Sequence, residues 1–80
     1  MTNAELDQAI VECLGDPATM SYGHEVIDII TAAKNGEITQ FEAQYLIMEM
    51  RDVRAAEALA GQEVALRYLV AACNLALKAV

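Results

Sequence analysis

Tryptophan is absent, and the aromatic set is one phenylalanine and three tyrosines. A core in this chain cannot be organised round large rings. It has to be filled by aliphatic side chains and by alanine, which brings helices close but buries little area per residue. One proline, Pro17, and four glycines leave long stretches free of helix breakers. No run of about 20 apolar residues occurs, so a membrane span is not expected. Bases are scarce, at five against twelve acids. Counterion release needs clustered lysine and arginine, so direct binding to nucleic acid is not expected.

Chemistry-bearing residues are equally thin. Cys13 and Cys73 are the only cysteines, too few for a disulfide framework or a zinc site, and both fall at apolar helical positions where a thiol acts as a small hydrophobe. His24 is the only histidine. It lies one turn before Asp28, but two ligands make no specific metal site. Ser21 lies nearby, yet neither a nucleophile elbow nor an orienting group surrounds the pair. Residues Thr31 to Glu42 match part of a calcium loop, with Gly36, Ile38 and Glu42 in register. Thr31 and Ala33, however, stand where the loop needs carboxylate or amide oxygens. The expectation is a non-enzymatic protein with no cofactor. Met1 to Asp7 has no basic region and no apolar run, which fits a cytoplasmic protein with reduced thiols.

What is present is helical periodicity over a single domain, residues 1–80. A first helix is expected over Asn3–Leu14, capped by Thr2 or Asn3, with Leu6, Ala9, Ile10, Cys13 and Leu14 inward and Gly15 as its stop. A second is expected over Tyr22–Lys34, capped by Ser21 and ended by Asn35-Gly36, with Val26, Ile27, Ile29, Ile30 and Ala33 as its apolar face. Thr39 and Glu42 have capping-box spacing, so a third helix opens at Gln40 and forms a hairpin with the second. It is expected to reach Ala60, with Phe41, Tyr45, Met48, Ala55 and Leu59 as one apolar side and Leu46, Met50, Val53 and Ala60 as another. A helix apolar on two sides sits between neighbours. Met48 and Met50 point to different faces and make no single methionine groove. Gly61 breaks the chain before a fourth helix; one kinked helix from Gln40 to Ala79 is the alternative.

The segment Val64–Val80 is apolar almost all the way round. Only Arg67, Asn74 and Lys78, with Ala71 between, form a narrow polar stripe. The fold class is therefore all-α, a small bundle of three to four helices, with this C-terminal helix either central or at a homodimer interface. Leu66, Leu69, Val70, Cys73 and Leu77 are the residues expected in such a seam.

Charge is lopsided. Residues 1–50 hold nine acids and one base, Lys34, whereas residues 51–80 hold three acids and four bases. Unpaired carboxylates steer an acidic surface toward a basic partner protein. The surface expected to do this is Glu5, Glu12, Glu25, Asp28, Glu42 and Glu49. The function expected is protein–protein interaction, a small acidic regulator or inhibitor of a larger assembly. One alternative is a phage-type inhibitor whose carboxylates mimic a nucleic-acid backbone and block a basic groove. Another is a carrier of a small apolar ligand. Size, acidity and helix number resemble acyl carrier proteins, which attach a prosthetic arm to the serine of an Asp-Ser-Leu motif. Ser21 stands between Met20 and Tyr22-Gly23, so the chain lacks that motif and is not assigned to the family.

Overall fold

Helix α1 (Ala4–Leu14) turns Leu6, Ala9, Ile10 and Cys13 inward, the stripe its sequence spacing sets. This is the first element of a computed structural model that describes residues 4–80; the expected caps Thr2 and Asn3 lie outside the described residues. A tight connection follows. Asp16 Oδ1 accepts from the Ala18 amide at 2.9 Å, and the Thr19 hydroxyl donates to the Cys13 carbonyl at 2.7 Å. Thr19 is fully buried, and the Cys13 carbonyl at the end of α1 accepts both its hydroxyl and, at 3.3 Å, the Asp16 amide.

Helix α2 (Met20–Lys34) begins earlier than its sequence suggests. Ser21, expected to cap it, lies inside the helix and is exposed. The N-cap position is Thr19, which makes no side-chain capping bond because its hydroxyl is spent on Cys13. Gly23, inside α2, is buried where α1 passes. A Cβ there would come 3.0 Å from Leu14 Cδ2 and 3.2 Å from Cys13 Cβ. The missing side chain lets the two helices pack closely.

The α2–α3 link is built as its residues require. Gly36 has φ +75°. Its amide bonds the Ala33 carbonyl at 3.2 Å, and the Glu37 amide bonds the Ala32 carbonyl at 2.9 Å, a Schellman ending. Helix α3 (Gln40–Glu49) then opens on a complete capping box. Glu42 donates its amide to Thr39 Oγ1 at 3.0 Å, and Glu42 Oε1 accepts the Thr39 amide at 2.9 Å.

A π-helical turn, Met50–Arg54, continues α3 into the short helix α4 (Ala55–Ala58). The Ala55 amide reaches back to the Met50 carbonyl, a five-residue step that inserts one extra residue into the helix. This overturns the expected face of the third helix. Ala55 and Leu59 share the buried side with Ala43, Ile47 and Met50. Phe41, Tyr45 and Met48 point outward, and so does Val53 from the second expected stripe; Ala60 is exposed as well. The methionine pair divides as its spacing implies, Met50 buried and Met48 outside.

Gly61, at φ +84°, makes the break. Helix α5 (Glu63–Ala79) follows, which removes the alternative of one kinked helix. It packs against α1, α2, α3, the π-turn and α4. Ala65, Leu69, Ala72, Cys73 and Ala76 are buried, and the stripe Arg67, Ala71, Asn74 and Lys78 is exposed. The fold is all-α, with no strand among the described residues. Among those residues, no helix is long and apolar enough to cross a membrane.

Candidate functional site

Three side chains on α3 form the feature that the fold leaves unexplained. Phe41 is 78% exposed, Tyr45 59% and Met48 40%. Their four-then-three spacing sets them in one row on the helix. The opposite side of the same helix carries Ala43 and Ile47, both completely buried. The capping box fixes where α3 starts, and Ala43 and Ile47 fix its rotation by packing on the core. Together they leave the Phe41–Tyr45–Met48 row no direction but outward. Phe41, Tyr45 and Leu46 also wall a surface cleft of about 190 Å³, with Glu42 as its fourth lining residue.

Carboxylates edge this row. Glu42 and Glu49, seven residues apart, lie along one flank at the helical repeat. The Thr39 backbone amide, and then its hydroxyl, hold the Glu42 carboxyl below its ordinary pKa of 4.5. Asp52, at the far end, is likewise held below its ordinary value by the hydrogen bonds from Arg51. Glu42 and Asp52 are therefore charged at neutral pH.

The six acids expected to form one partner surface are divided by the fold. Glu25 on α2 and Glu49 on α3 both bond Arg54, at 3.2 Å for Arg54 Nη1 to Glu25 Oε1 and 3.3 Å for Arg54 Nε to Glu49 Oε1. Glu42 serves the capping box. Glu5, Glu12 and Asp28 are exposed and take part in no ion pair among the described residues. Arg51 grips Asp52 at 2.8 Å and also reaches Asn74 Oδ1 of α5 at 2.8 Å. The Glu63–Arg67 pair forms at the expected one-turn spacing, 3.4 Å apart.

The residues expected in a dimer seam are also divided. Leu69 and Cys73 are completely buried within the single chain. They touch its own core and present no surface to a second copy. Leu66, Val70 and Leu77 are half-buried, with Leu66 and Val70 beside Ala56 in a shallow groove between α5 and α4.

Neither thiol is placed for chemistry. Burial pushes the Cys13 thiol up, and it pushes Cys73 up to about 11. Among the described residues no group of three His, Cys, Asp or Glu side chains is placed to hold a metal ion. A cleft between α1 and α2, floored by Leu6, Ile10, Ile27 and Ile30, measures about 160 Å³, the room of one aliphatic side chain. Family models, curated proteins and solved structures provide no match to this chain.

The α3 row is the feature that sequence spacing misassigns. Phe41, Tyr45 and Met48 read as core because Ala55 and Leu59 continue their repeat. The signal available in the sequence was the second apolar side of the same helix, which implies a neighbour on each. The chain supplies a neighbour for one side only.

Proposed function

We propose that the protein is a non-enzymatic protein–protein interaction module, a small acidic regulator or inhibitor of a larger assembly, and that α3 is its contact helix. The observation that carries this reading is the outward row of Phe41, Tyr45 and Met48. Single exposed apolar residues are ordinary on a protein surface; an aligned row beside a cleft marks a contact site. Aromatic residues and methionine are also enriched at interface cores, and methionine adapts its shape to a partner. Burial of both thiols takes the strongest nucleophiles of the chain away from solvent, in keeping with a role in binding rather than catalysis. The partner expected is a protein with a basic surface, because Glu42 and Glu49 edge the row.

Affinity capture from the native cell tests the reading. A specific partner held by the wild-type chain is expected to be lost by the double substitution Phe41→Ser/Tyr45→Ser. Every partner being retained by that variant would exclude α3 as the contact.

The exposed acids of α1 favour a second reading, a nucleic-acid mimic. Glu5 and Glu12, seven residues apart, stand on one face of α1 in no ion pair among the described residues, and a mimic that enters a basic groove would require such a row. Charge reversal at Glu5 and Glu12 is then expected to abolish capture, with Phe41→Ser/Tyr45→Ser leaving it intact.

A further inference from the structure

We propose that the outward face of α3 receives a basic amphipathic helix of a partner protein, which sets one aliphatic side chain into the cleft beside Phe41 and Tyr45 and lays lysine or arginine along Glu42 and Glu49. This rests on the reading above that α3 is the contact helix, and it narrows the occupant.

Shape comes first. Phe41 to Met48 spans two turns, about 10 Å at 1.5 Å per residue. A helix packed alongside offers apolar residues at the matching three- and four-residue spacing. The cleft of about 190 Å³ between Phe41, Glu42, Tyr45 and Leu46 has room for a leucine or isoleucine side chain and leaves the Glu42 carboxylate at its edge.

Charge decides between occupants. A second copy of this chain would bring a further −7 and the same glutamates, since a two-fold contact sets a patch against itself. An anionic lipid surface is repelled for the same reason. A cationic helix gains from both features, burying its apolar row and pairing its flank. The three exposed side chains present on the order of 400 Å² between them, given 150–250 Å² for a whole aromatic residue. That is well under the roughly 800 Å² per partner of a tight complex. The contact is therefore transient, with charge setting much of its association rate.

The test uses the full chain and two synthetic 15-residue helical peptides. One carries leucine at positions i, i+3, i+4 and i+7 with lysine elsewhere; the other replaces every lysine with glutamate. Binding is read by calorimetry. The lysine peptide is expected to bind and the glutamate peptide not. Phe41→Ser/Tyr45→Ser is expected to weaken the lysine peptide about tenfold or more. Glu42→Gln/Glu49→Gln is expected to weaken it several-fold, with glutamine at 42 keeping the capping box. Glu5→Gln/Glu12→Gln removes the same two charges from α1 and is expected to leave binding within about twofold. Circular dichroism checks that each variant stays helical.

Equal losses from the α1 and α3 pairs would overturn the proposal, since bulk charge would then explain the binding. Binding of the glutamate peptide would overturn it too. So would a wild-type dimer in sedimentation that Phe41→Ser dissolves, which makes a second copy the occupant. If the lysine peptide fails while a cellular partner is still lost by Phe41→Ser/Tyr45→Ser, the contact helix stands and the basic-helix occupant falls. If neither responds to the α3 variants, both fall.

Discussion

Arg54 of the π-turn clasps Glu25 of α2 with both terminal nitrogens, across twenty-nine residues of sequence, and holds Glu49 of its own helix through Nε. One cation thereby gathers two of the acids that the sequence leaves without a base at helical spacing. The tie joins the middle of the chain to α2 and offsets one of the two charges of Glu25 and Glu49, so that the cluster still carries a net negative charge.

Arg54→Ala is accordingly expected to be mildly destabilising. Its guanidinium and the Glu25 carboxylate are both more than a third exposed, so solvent screens the pairs. The loss in urea unfolding is expected to be about 0.5 kcal/mol at low salt and smaller still at 1 M salt. A loss that salt does not change would point to packing of the arginine stem instead.

Gly23→Ala is expected to reverse the usual helix rule. Alanine inside a helix normally stabilises by about 1 kcal/mol over glycine. Here the new methyl meets Leu14 Cδ2 at 3.0 Å and Cys13 Cβ at 3.2 Å. The leucine tip can swing away, but Cys13 Cβ is fixed to the buried backbone of α1. Overpacking costs about 1–3 kcal/mol, so a net loss of about 1 kcal/mol is expected in denaturant unfolding.

Removal of Val53 tests the π-turn. Buried positions Ala43, Ile47, Met50, Ala55 and Leu59 are spaced four, three, five and four. Without Val53, which is exposed, the five becomes a four and an unbroken α-helix keeps every one of them inward. The shortened chain is expected to stay helical, to unfold cooperatively, and to lie within about 1 kcal/mol of the parent. Loss of cooperative unfolding would mean that the extra residue is required for the core.

That extra residue also explains where sequence spacing failed. In a regular helix Ala55 and Leu59 lie on the side of Phe41, Tyr45 and Met48. One inserted residue turns everything after it by about 100°, which carries Ala55 and Leu59 to the other side. No residue type in Met50–Arg54 announces the insertion. Elements set by local chemistry were legible instead: the inward stripe of α1, the Asn35-Gly36 ending, the Thr39–Glu42 box, the Gly61 break, and the polar stripe of α5. Ser21 failed as a cap for a tertiary reason, because Thr19 finds its partner at Cys13, six residues back. The acids were legible as a composition but not as a surface, since the Arg54 contacts are long-range.

Acid titration is expected to single out Glu42. Its carboxyl is held below the ordinary value by the Thr39 amide and hydroxyl. A depressed folded-state pKa contributes stability that is fully present above the unfolded-state value, about 4.5, and is lost as pH falls through the folded-state value. The stability difference between wild type and Glu42→Ala is therefore expected to be constant at neutral pH and to shrink only below the ordinary glutamate range. Thr39→Ala removes the other half of the box and is expected to cost about 1 kcal/mol.

Gly36 and Gly61 share a positive φ that L-residues resist. A mirror-image alanine fits such a backbone. Synthesis of the 80-residue chain with D-alanine at both places is expected to raise its melting temperature, because the unfolded ensemble loses freedom at two hinges while the folded one loses nothing. The connections between its helices are thus sites where chirality alone can be exchanged for rigidity.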